Sequence, residues 1–208
     1  VEFCGLAFEI NSSVLVPRPE TELLAEAAWA VAAIKEESVV LDIGTGSGCL
    51  AVSVAVHAEE TTIHALDIST AAINVARANA ERHGVAERII FHEGDARVAL
   101  PGTCLFDVIV SNPPYIPSAE IESLQIEVRD HDPRLALDGG LDGLEFYRSL
   151  AVSCLSRLRS DGRLLLEVGD GQGELVADLI SALGGRVLEI LPDLNNIERI
   201  VVASADNS

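Results

Sequence analysis

Short β-branched runs alternate with longer helical stretches along this chain, and that alternation restricts its fold more than any other feature. The runs predict strands at Val39–Ile43, Thr62–Asp67, Arg88–His92, Phe106–Ser111, Arg163–Val168, Arg186–Ile190 and Arg199–Ala203. Between them the patterns predict helices at Glu20–Ile34, Cys49–Ala58, Thr70–His83, Leu144–Leu158 and Glu174–Leu183. A strand that hands over repeatedly to a helix closes into a parallel sheet covered on both faces, an α/β architecture. The last two strands have no room for a helix between them. The turn-forming segment Leu191–Ile197 makes them an antiparallel hairpin at the sheet edge.

The ends of these elements carry matching signals. Pro19 stands in the first turn of the first helix, followed by Glu20 and Glu22, where the helix dipole favours negative charge. Gly84 follows His83 at a helix C-cap position. Ahead of the first helix, Phe3–Val16 reads as a short hairpin. From Ser111 to Gly143 the alternation gives way to a proline- and glycine-marked insertion, a length of loop that is usually functional or disordered. Residues 1–36 are expected to pack on a single main domain of residues 37–204, with 205–208 as a loose tail.

The chain's 208 residues suit one domain, and 49% apolar content excludes global disorder. Acidic residues outnumber basic ones 33 to 14, a net charge of −19, and Lys35 is the single lysine. Such a chain lacks the basic footprint of a free-standing nucleic-acid binder and is repelled by anionic membranes. Direct nucleic-acid binding and membrane association are therefore not expected. Cys4, Cys49, Cys104 and Cys154 form no CxxC pair and read as free thiols of a reducing compartment. With no membrane-length apolar run and no basic-then-apolar leader, a cytoplasmic location is expected. The absence of methionine, initiator included, suggests a mature or trimmed form.

The segment Asp42-Ile43-Gly44-Thr45-Gly46-Ser47-Gly48 sits where the first main strand hands over to a helix. Glycines at 44, 46 and 48 let the backbone come close to a ligand at positive φ. The spacing is GxGxG; a dinucleotide fingerprint needs its third glycine at position 49, which is Cys49. No lysine follows, which excludes a phosphate-cradling P-loop. Asp67 ends the next strand, where a carboxylate can accept from both hydroxyls of a ribose. Asp95 follows the third strand in Glu93-Gly94-Asp95-Ala96, a position suited to an adenine ring. Each feature alone is an ordinary strand–helix turn. Three on consecutive strands point to a nucleoside ligand, and the acidic rim suits a cationic one.

After the fourth strand comes Ser111-Asn112-Pro113-Pro114-Tyr115, the most specific signal in the chain. Two adjacent prolines remove two backbone donors, and Pro113 holds Asn112 extended. The Asn112 side-chain oxygen and the Pro113 carbonyl can then accept both hydrogens of one NH₂ group, with the Tyr115 ring against a planar substrate. An amide or aromatic amine is a poor nucleophile because its lone pair is delocalised. Two acceptors would orient that nitrogen and stabilise positive charge developing on it, so that a sulfonium methyl donor could react in line. No metal or covalent nucleophile is needed. The histidines His57, His64, His83, His92 and His131 show no ligand spacing, and no metal site is expected.

On these residues the chain resembles the class I S-adenosylmethionine-dependent methyltransferases, and more closely the protein-(glutamine-N5) methyltransferases of peptide chain release factors. The resemblance covers almost the whole chain: Val16-Pro17-Arg18-Pro19-Glu20-Thr21-Glu22, the loop LDIGTGSG, FDVIVSNPPYI, Glu127-Val128-Arg129 and the run ALDGGLDGLEFYR. The first and last of these segments discriminate best among methyltransferases. The resemblance implies a Rossmann-like sheet of about seven strands, mostly parallel, with a C-terminal antiparallel hairpin. It implies S-adenosylmethionine as cofactor, with S-adenosylhomocysteine as product, and the glutamine of a release factor's Gly-Gly-Gln motif as acceptor. Gly44, Thr45, Gly46, Ser47 and Gly48 would wrap the methionine end of the cofactor, Asp67 would bind its ribose, and Asp95 and Ala96 would border the adenine. Asn112, Pro113, Pro114 and Tyr115 would hold the glutamine amide, with Asn112 also beside the cofactor, and Arg18 and Glu22 would help close the pocket. Family members carry a small helical N-terminal domain that grips the release factor. This chain starts at its hairpin, so it is expected to be the catalytic part alone or to recognise its substrate differently. Methylation of an exocyclic base amine or of a ribosomal-protein glutamine fits the same chemistry; a non-catalytic nucleoside-binding module is the reading without it.

Overall fold

The computed structural model describes residues 1–206. It opens on a small hairpin, β1 (Glu2–Phe3) and β2 (Leu6–Ala7), turned by Cys4 and Gly5 at φ of 49° and 72°. The expected Phe3–Val16 hairpin is thus confined to the first seven residues, and residues 8–16 continue as a strap without regular structure. Helix α1 (Pro19–Ala32) begins on its proline with Glu20 and Glu22 in the first turn, and buries Thr21, Leu24, Ala25, Ala28 and Ala32.

Strand and helix then alternate: β3 (Val39–Ile43), α2 (Cys49–His57), β4 (Thr62–Asp67), α3 (Thr70–Arg82), β5 (Ile89–Glu93) and β6 (Phe106–Ser111). After the insertion, which holds the single turn α4 (Ile126–Arg129), come α5 (Glu145–Arg157), β7 (Leu158–Glu167), α6 (Gly173–Ala182), β8 (Gly185–Pro192) and β9 (Glu198–Ala205). Seven strands form one sheet in the order β5-β4-β3-β6-β7-β9-β8. The first five pair in parallel, and β9 runs antiparallel to both β7 and β8. The expected mostly parallel sheet with an antiparallel C-terminal hairpin is the observed one.

The side-chain period of two divides the core. Val40, Val108 and Val110 face a cluster with Leu24, Ala28 and Leu50 from α1 and α2; Leu41 and Ile109 face Tyr147, Leu150 and Ile180 from α5 and α6. Every residue of β6 is buried, as befits a central strand covered on both faces. From β3 the chain winds outward to the β5 edge, then returns to lay β6 on the other side of β3. The two halves diverge there, and in such sheets a crevice opens at the carboxyl ends of the diverging strands.

Strand boundaries match the sequence expectation at β3, β4 and β6 and differ elsewhere. β5 starts one residue late because Ala86–Arg88 forms a 3₁₀ turn. β7 starts at Leu158 rather than Arg163: Leu158 pairs with Phe106 and Arg163 with Val108, so a bulge occupies the residues between. Ala205, expected in the tail, pairs with Gly185 instead; Asn207 and Ser208 of that tail lie outside the described residues. The insertion folds back on itself. The amide of Ile116 bonds the Leu137 carbonyl at 3.0 Å and that of Gly139 bonds the Ile116 carbonyl at 2.8 Å, closing the loop at its base. Among the described residues no helix is long and apolar enough to cross a membrane.

Candidate functional site

At the end of β3 the backbone turns at Gly44, with φ of 72°, and the amides of Gly44 and Thr45 both bond the Leu66 carbonyl of β4, at 2.8 and 3.0 Å. The Gly46 amide donates to Asp67 Oδ2 and the Ser69 amide to Asp67 Oδ1, both at 2.9 Å. The Asp67 carboxylate is therefore aimed by two backbone donors, and each oxygen keeps a lone pair for a ligand. Gly48 caps α2 at φ of 80°, where an added Cβ would stand 2.9 Å from Ala76 Cβ of α3. Its role is close packing of loop on helix.

Below the loop lies Asp42, fully buried. Its Oδ2 accepts from Thr45 Oγ1 at 2.6 Å and from the Ala51 amide at 3.2 Å, while Oδ1 has no hydrogen-bond partner among the described residues. Burial pushes this carboxyl up to about 7. Thr45 and Ser47 are themselves buried, so the loop reaches the crevice through Gly44 and Gly46. Asn79 of α3 secures the arrangement from the side: Nδ2 donates to the carbonyls of Glu9 and Ser47, both at 2.9 Å, and Oδ1 accepts from the Glu9 amide at 2.8 Å. One buried amide so ties the N-terminal strap to the glycine loop.

The crevice at the carboxyl ends of β3, β4 and β5 is a cavity lined by Gly44, Gly46, Asp67, Asp95 and Ala96. The strap covers it with Ser13, Val14 and Leu15, and the insertion with Pro133, Leu135 and Ala136. The Asp95 carboxylate is already forked by Arg97, with Nε at 2.9 Å from Oδ1 and Nη2 at 2.8 Å from Oδ2. Arg97 lies over the Phe146 ring, itself on the cavity wall.

A second cavity adjoins the first, lined by Arg18, Tyr115, Ile116, Val128 and Leu137; Leu15, Asn112 and Ala136 line both. Asn112 thus stands in the wall between two compartments. Its Nδ2 donates to Thr21 Oγ1 at 3.1 Å. Ser111 Oγ donates to the Ile43 carbonyl at 2.8 Å, pinning the end of β6 to the end of β3. Pro113 is buried, Pro114 faces the first cavity and Tyr115 the second. Burial, with the Glu167 charge nearby, pushes the Tyr115 hydroxyl up to about 12, so it is a neutral phenol at physiological pH.

The run Asp138–Leu144 shapes the far side of this loop. A Cβ on Gly139 would stand 2.7 Å from Tyr115 Cα, and one on Gly143 would stand 2.3 Å from the Tyr115 carbonyl oxygen. That carbonyl accepts from Gln172 Nε2 at 3.0 Å, while Gln172 Oε1 accepts from the Gly169 amide at 3.0 Å.

The residues expected to close the pocket part ways. Arg18 lines the second cavity and pairs with Asp132 of the insertion at 2.5 Å, while Asp132 also accepts from the Val16 amide at 3.2 Å. Glu22 lines neither cavity; its Oε1 accepts from the Cys4 amide at 3.1 Å and steadies the opening hairpin. Sequence reasoning missed Thr21, Asn79, Asp132, Glu167 and Gln172. Signals existed for Glu167, one acid at the end of the apolar run Leu164-Leu165-Leu166, and for Thr21, which stands in the Val16–Glu22 segment, but nothing local marks the others.

A glycine loop without side chains, a diol-ready carboxylate and an apolar wall of Leu66, Ile68, Ala96 and Phe146 suit a nucleoside in the first cavity. The second presents the Asn112 amide, the Tyr115 ring and Arg18 among apolar side chains. Among the described residues no group of His, Cys, Asp and Glu is arranged to hold a metal ion.

The chain is similar to known proteins in sequence and in fold. Residues 20–131 match the family model described as methyltransferase small domain. Over 200 residues the chain is 45% identical to the release factor glutamine methyltransferase of Geobacter sulfurreducens, covering 96% of this chain and 69% of that protein. It is 42% identical over 203 residues to the Moorella thermoacetica protein of the same name, covering 97% of this chain and 71% of the other. Among solved structures, the ribosomal protein L11 methylase of Lactobacillus delbrueckii subsp. bulgaricus superposes with a TM-score of 0.68 at 19% identity, over 93% of this chain and 82% of that one. That likeness concerns the fold.

Proposed function

The chain belongs to the release factor glutamine methyltransferases, and from that premise we propose that it methylates N5 of the glutamine in the Gly-Gly-Gln motif of a peptide chain release factor. The observation that carries the reading is the position of Asn112 in the wall shared by the two cavities.

S-adenosylmethionine, when bound, supplies an electrophilic methyl group on a sulfonium. The first cavity fits it: Gly44 and Gly46 leave space for close backbone approach, Asp67 offers oriented lone pairs to a ribose diol, and Ala96 with Leu66 and Phe146 offers an apolar surface to adenine. Asp95, forked by Arg97, supports the adenine edge of that site. Thr45, Ser47 and Gly48 act one layer behind, through Asp42, Asn79 and Ala76 respectively.

In the second cavity Asn112 Oδ1 and the Pro113 carbonyl accept the N–H groups of the glutamine amide, which turns its nitrogen toward the first cavity. Tyr115 walls the planar amide, and Pro114 bounds the neighbouring first cavity toward which its nitrogen turns. As the nitrogen takes the methyl group, the donor's S–CH3 bond would break to leave a thioether; both acceptors would stabilise the positive charge on the nitrogen, and one N–H proton would pass to bulk water as the site reopens. The neutral Tyr115 phenol contributes a surface and no base. Arg18 closes the acceptor side through Asp132. Residues 37–204 carry this chemistry, and residues 1–36 complete its roof. The net charge of −19 supports a protein acceptor over a nucleic acid, and a cytoplasmic location follows from a translation factor as substrate. The reaction needs no metal.

The test is incubation of the protein with methyl-labelled S-adenosylmethionine and a release factor, followed by mass spectrometry of the Gly-Gly-Gln peptide. Label on that glutamine, lost when the glutamine is replaced by alanine, is the expected result. An unlabelled peptide, where a full-length relative labels it, refutes the substrate.

A further inference from the structure

Of the segment Val16–Glu22, Arg18 alone lines either of these two cavities, and Thr21 lies behind them. Thr21 is 2% exposed, in the first turn of α1, and its oxygen accepts from Asn112 Nδ2. Behind the pair lies Glu167 at the end of β7, also 2% exposed. Burial pushes the Glu167 carboxyl up to about 7, against the Thr21 hydroxyl, the Asn112 amide and the Arg199 charge, which favour its ionised form, and with the Glu20 charge opposing it; among the described residues its Oε2 has no hydrogen-bond partner. A buried carboxyl with an open oxygen at the end of an apolar strand is costly, and an apolar side chain would pack there without that penalty.

What the carboxyl does is set direction. The two ends of an asparagine amide have nearly the same shape and opposite polarity: one accepts, the other donates. A glutamine acceptor presents N–H groups, so only the Oδ1 end of Asn112 can hold it. For Asn112 to keep Nδ2 toward α1, Thr21 must accept from it, and the Thr21 proton must then go elsewhere. Above about pH 7, where the Glu167 carboxyl is ionised, it offers that proton only acceptors. We propose that Thr21 and Glu167 are positioning residues that fix the polarity of Asn112, so that its oxygen, and not its NH₂ group, faces the acceptor pocket. This rests on the role given to Asn112 above. It also assigns a function to the threonine of the Pro-Arg-Pro-Glu-Thr-Glu segment: selection of a glutamine amide over a glutamate carboxylate, which would need the opposite polarity.

The experiment compares Thr21→Val, Thr21→Ser and Glu167→Leu with the unaltered protein. It reads kcat and KM for release factor, donor affinity by calorimetry, melting temperature, and competition by Gly-Gly-Gln and Gly-Gly-Glu peptides for the acceptor site. Thr21→Val should lower kcat about tenfold or more with donor affinity kept, and reduce the peptide preference for glutamine about tenfold. Thr21→Ser, which restores the hydroxyl, should recover most of both. Glu167→Leu should repeat the Thr21→Val pattern at an equal or higher melting temperature, a result no purely structural role produces. The proposal is overturned if Thr21→Val keeps kcat and peptide preference within about twofold, if Thr21→Ser is as impaired as Thr21→Val, or if folded Glu167→Leu is fully active. Should Glu167→Leu not fold, the two threonine variants decide alone. Failure of the underlying reading looks different: Asn112→Ala then retains activity whatever the Thr21 variants do.

Discussion

Arg18 meets Asp132 across 114 residues of chain, Nη2 to Oδ2 at 2.5 Å, and joins the segment before α1 to the insertion. Asp132 is buried while Arg18 is partly open, so the pair holds the strap and insertion together over both cavities. Asp132→Ala should raise the release-factor KM by about tenfold, since it frees Arg18 and leaves the Val16 amide unpaired. Steady-state kinetics check this. An unchanged KM would show that the roof holds without the pair.

Asn112 separates binding from chemistry. Asn112→Ala should leave donor affinity within about threefold and lower kcat by about 100-fold or more, the range for losing one preorganised hydrogen-bonding group. Calorimetry with the donor and single-turnover methylation measure the two quantities separately.

Two glycines discriminate the cavities. Gly139→Ala drives a Cβ to 2.7 Å from the Tyr115 backbone, and should cost about 1–3 kcal/mol of stability and displace the acceptor loop. Gly48→Ala drives one to 2.9 Å from Ala76 and adds the strain of a φ of 80°. The first should lose acceptor binding with donor binding retained, and the second the reverse. Denaturant titration and separate binding measurements decide it.

His64 and His92 stack with ring centroids 5.0 Å apart, Nε2 of His92 lying 3.0 Å from Nδ1 of His64. Burial lowers both below the ordinary 6.5, and for His64 the charges of His92 and Arg157 lower it further. The unfolded chain therefore takes up protons first as pH falls below 6.5, and the pair withdraws stability from there downward, with no penalty above it. The melting temperature should fall on acidification more steeply in the unaltered protein than in a His64→Phe, His92→Phe double variant. Parallel curves from pH about 7.5 to about 5 would refute the assignment.

The central elements were legible because their pattern is local. β3 and β6 are largely β-branched runs buried on both faces, β4 is buried chiefly through Ile63, Ala65 and Leu66, and the limits of all three fall where the sequence places them. The glycine loop, Asp67 and Asn112–Tyr115 sit at strand ends, and parallel pairing alone brings strand ends together. β7 was misplaced because a bulge is set by its partner's register, which its own residues do not reveal. The resemblance implies that Arg18 and Glu22 close the pocket together, but Arg18 is the extended residue before α1 and reaches the insertion, while Glu22 lies inside the helix and meets the opening hairpin. Asp132, Asn79 and Gln172 act across the fold on partners far away in sequence, so no window of sequence shows them.

The glycines at 139 and 143 have no reacting group to offer. They are the imprint of the Tyr115 backbone, a mould whose useful property is the space left empty. Mould and cast must therefore travel together. A chimera that transplants residues 112–115 into another methyltransferase of this fold inherits an acceptor loop without its seat unless residues 138–144 come with it. The unit of exchange in this site is a pair of segments far apart in the chain, and either one alone is inert.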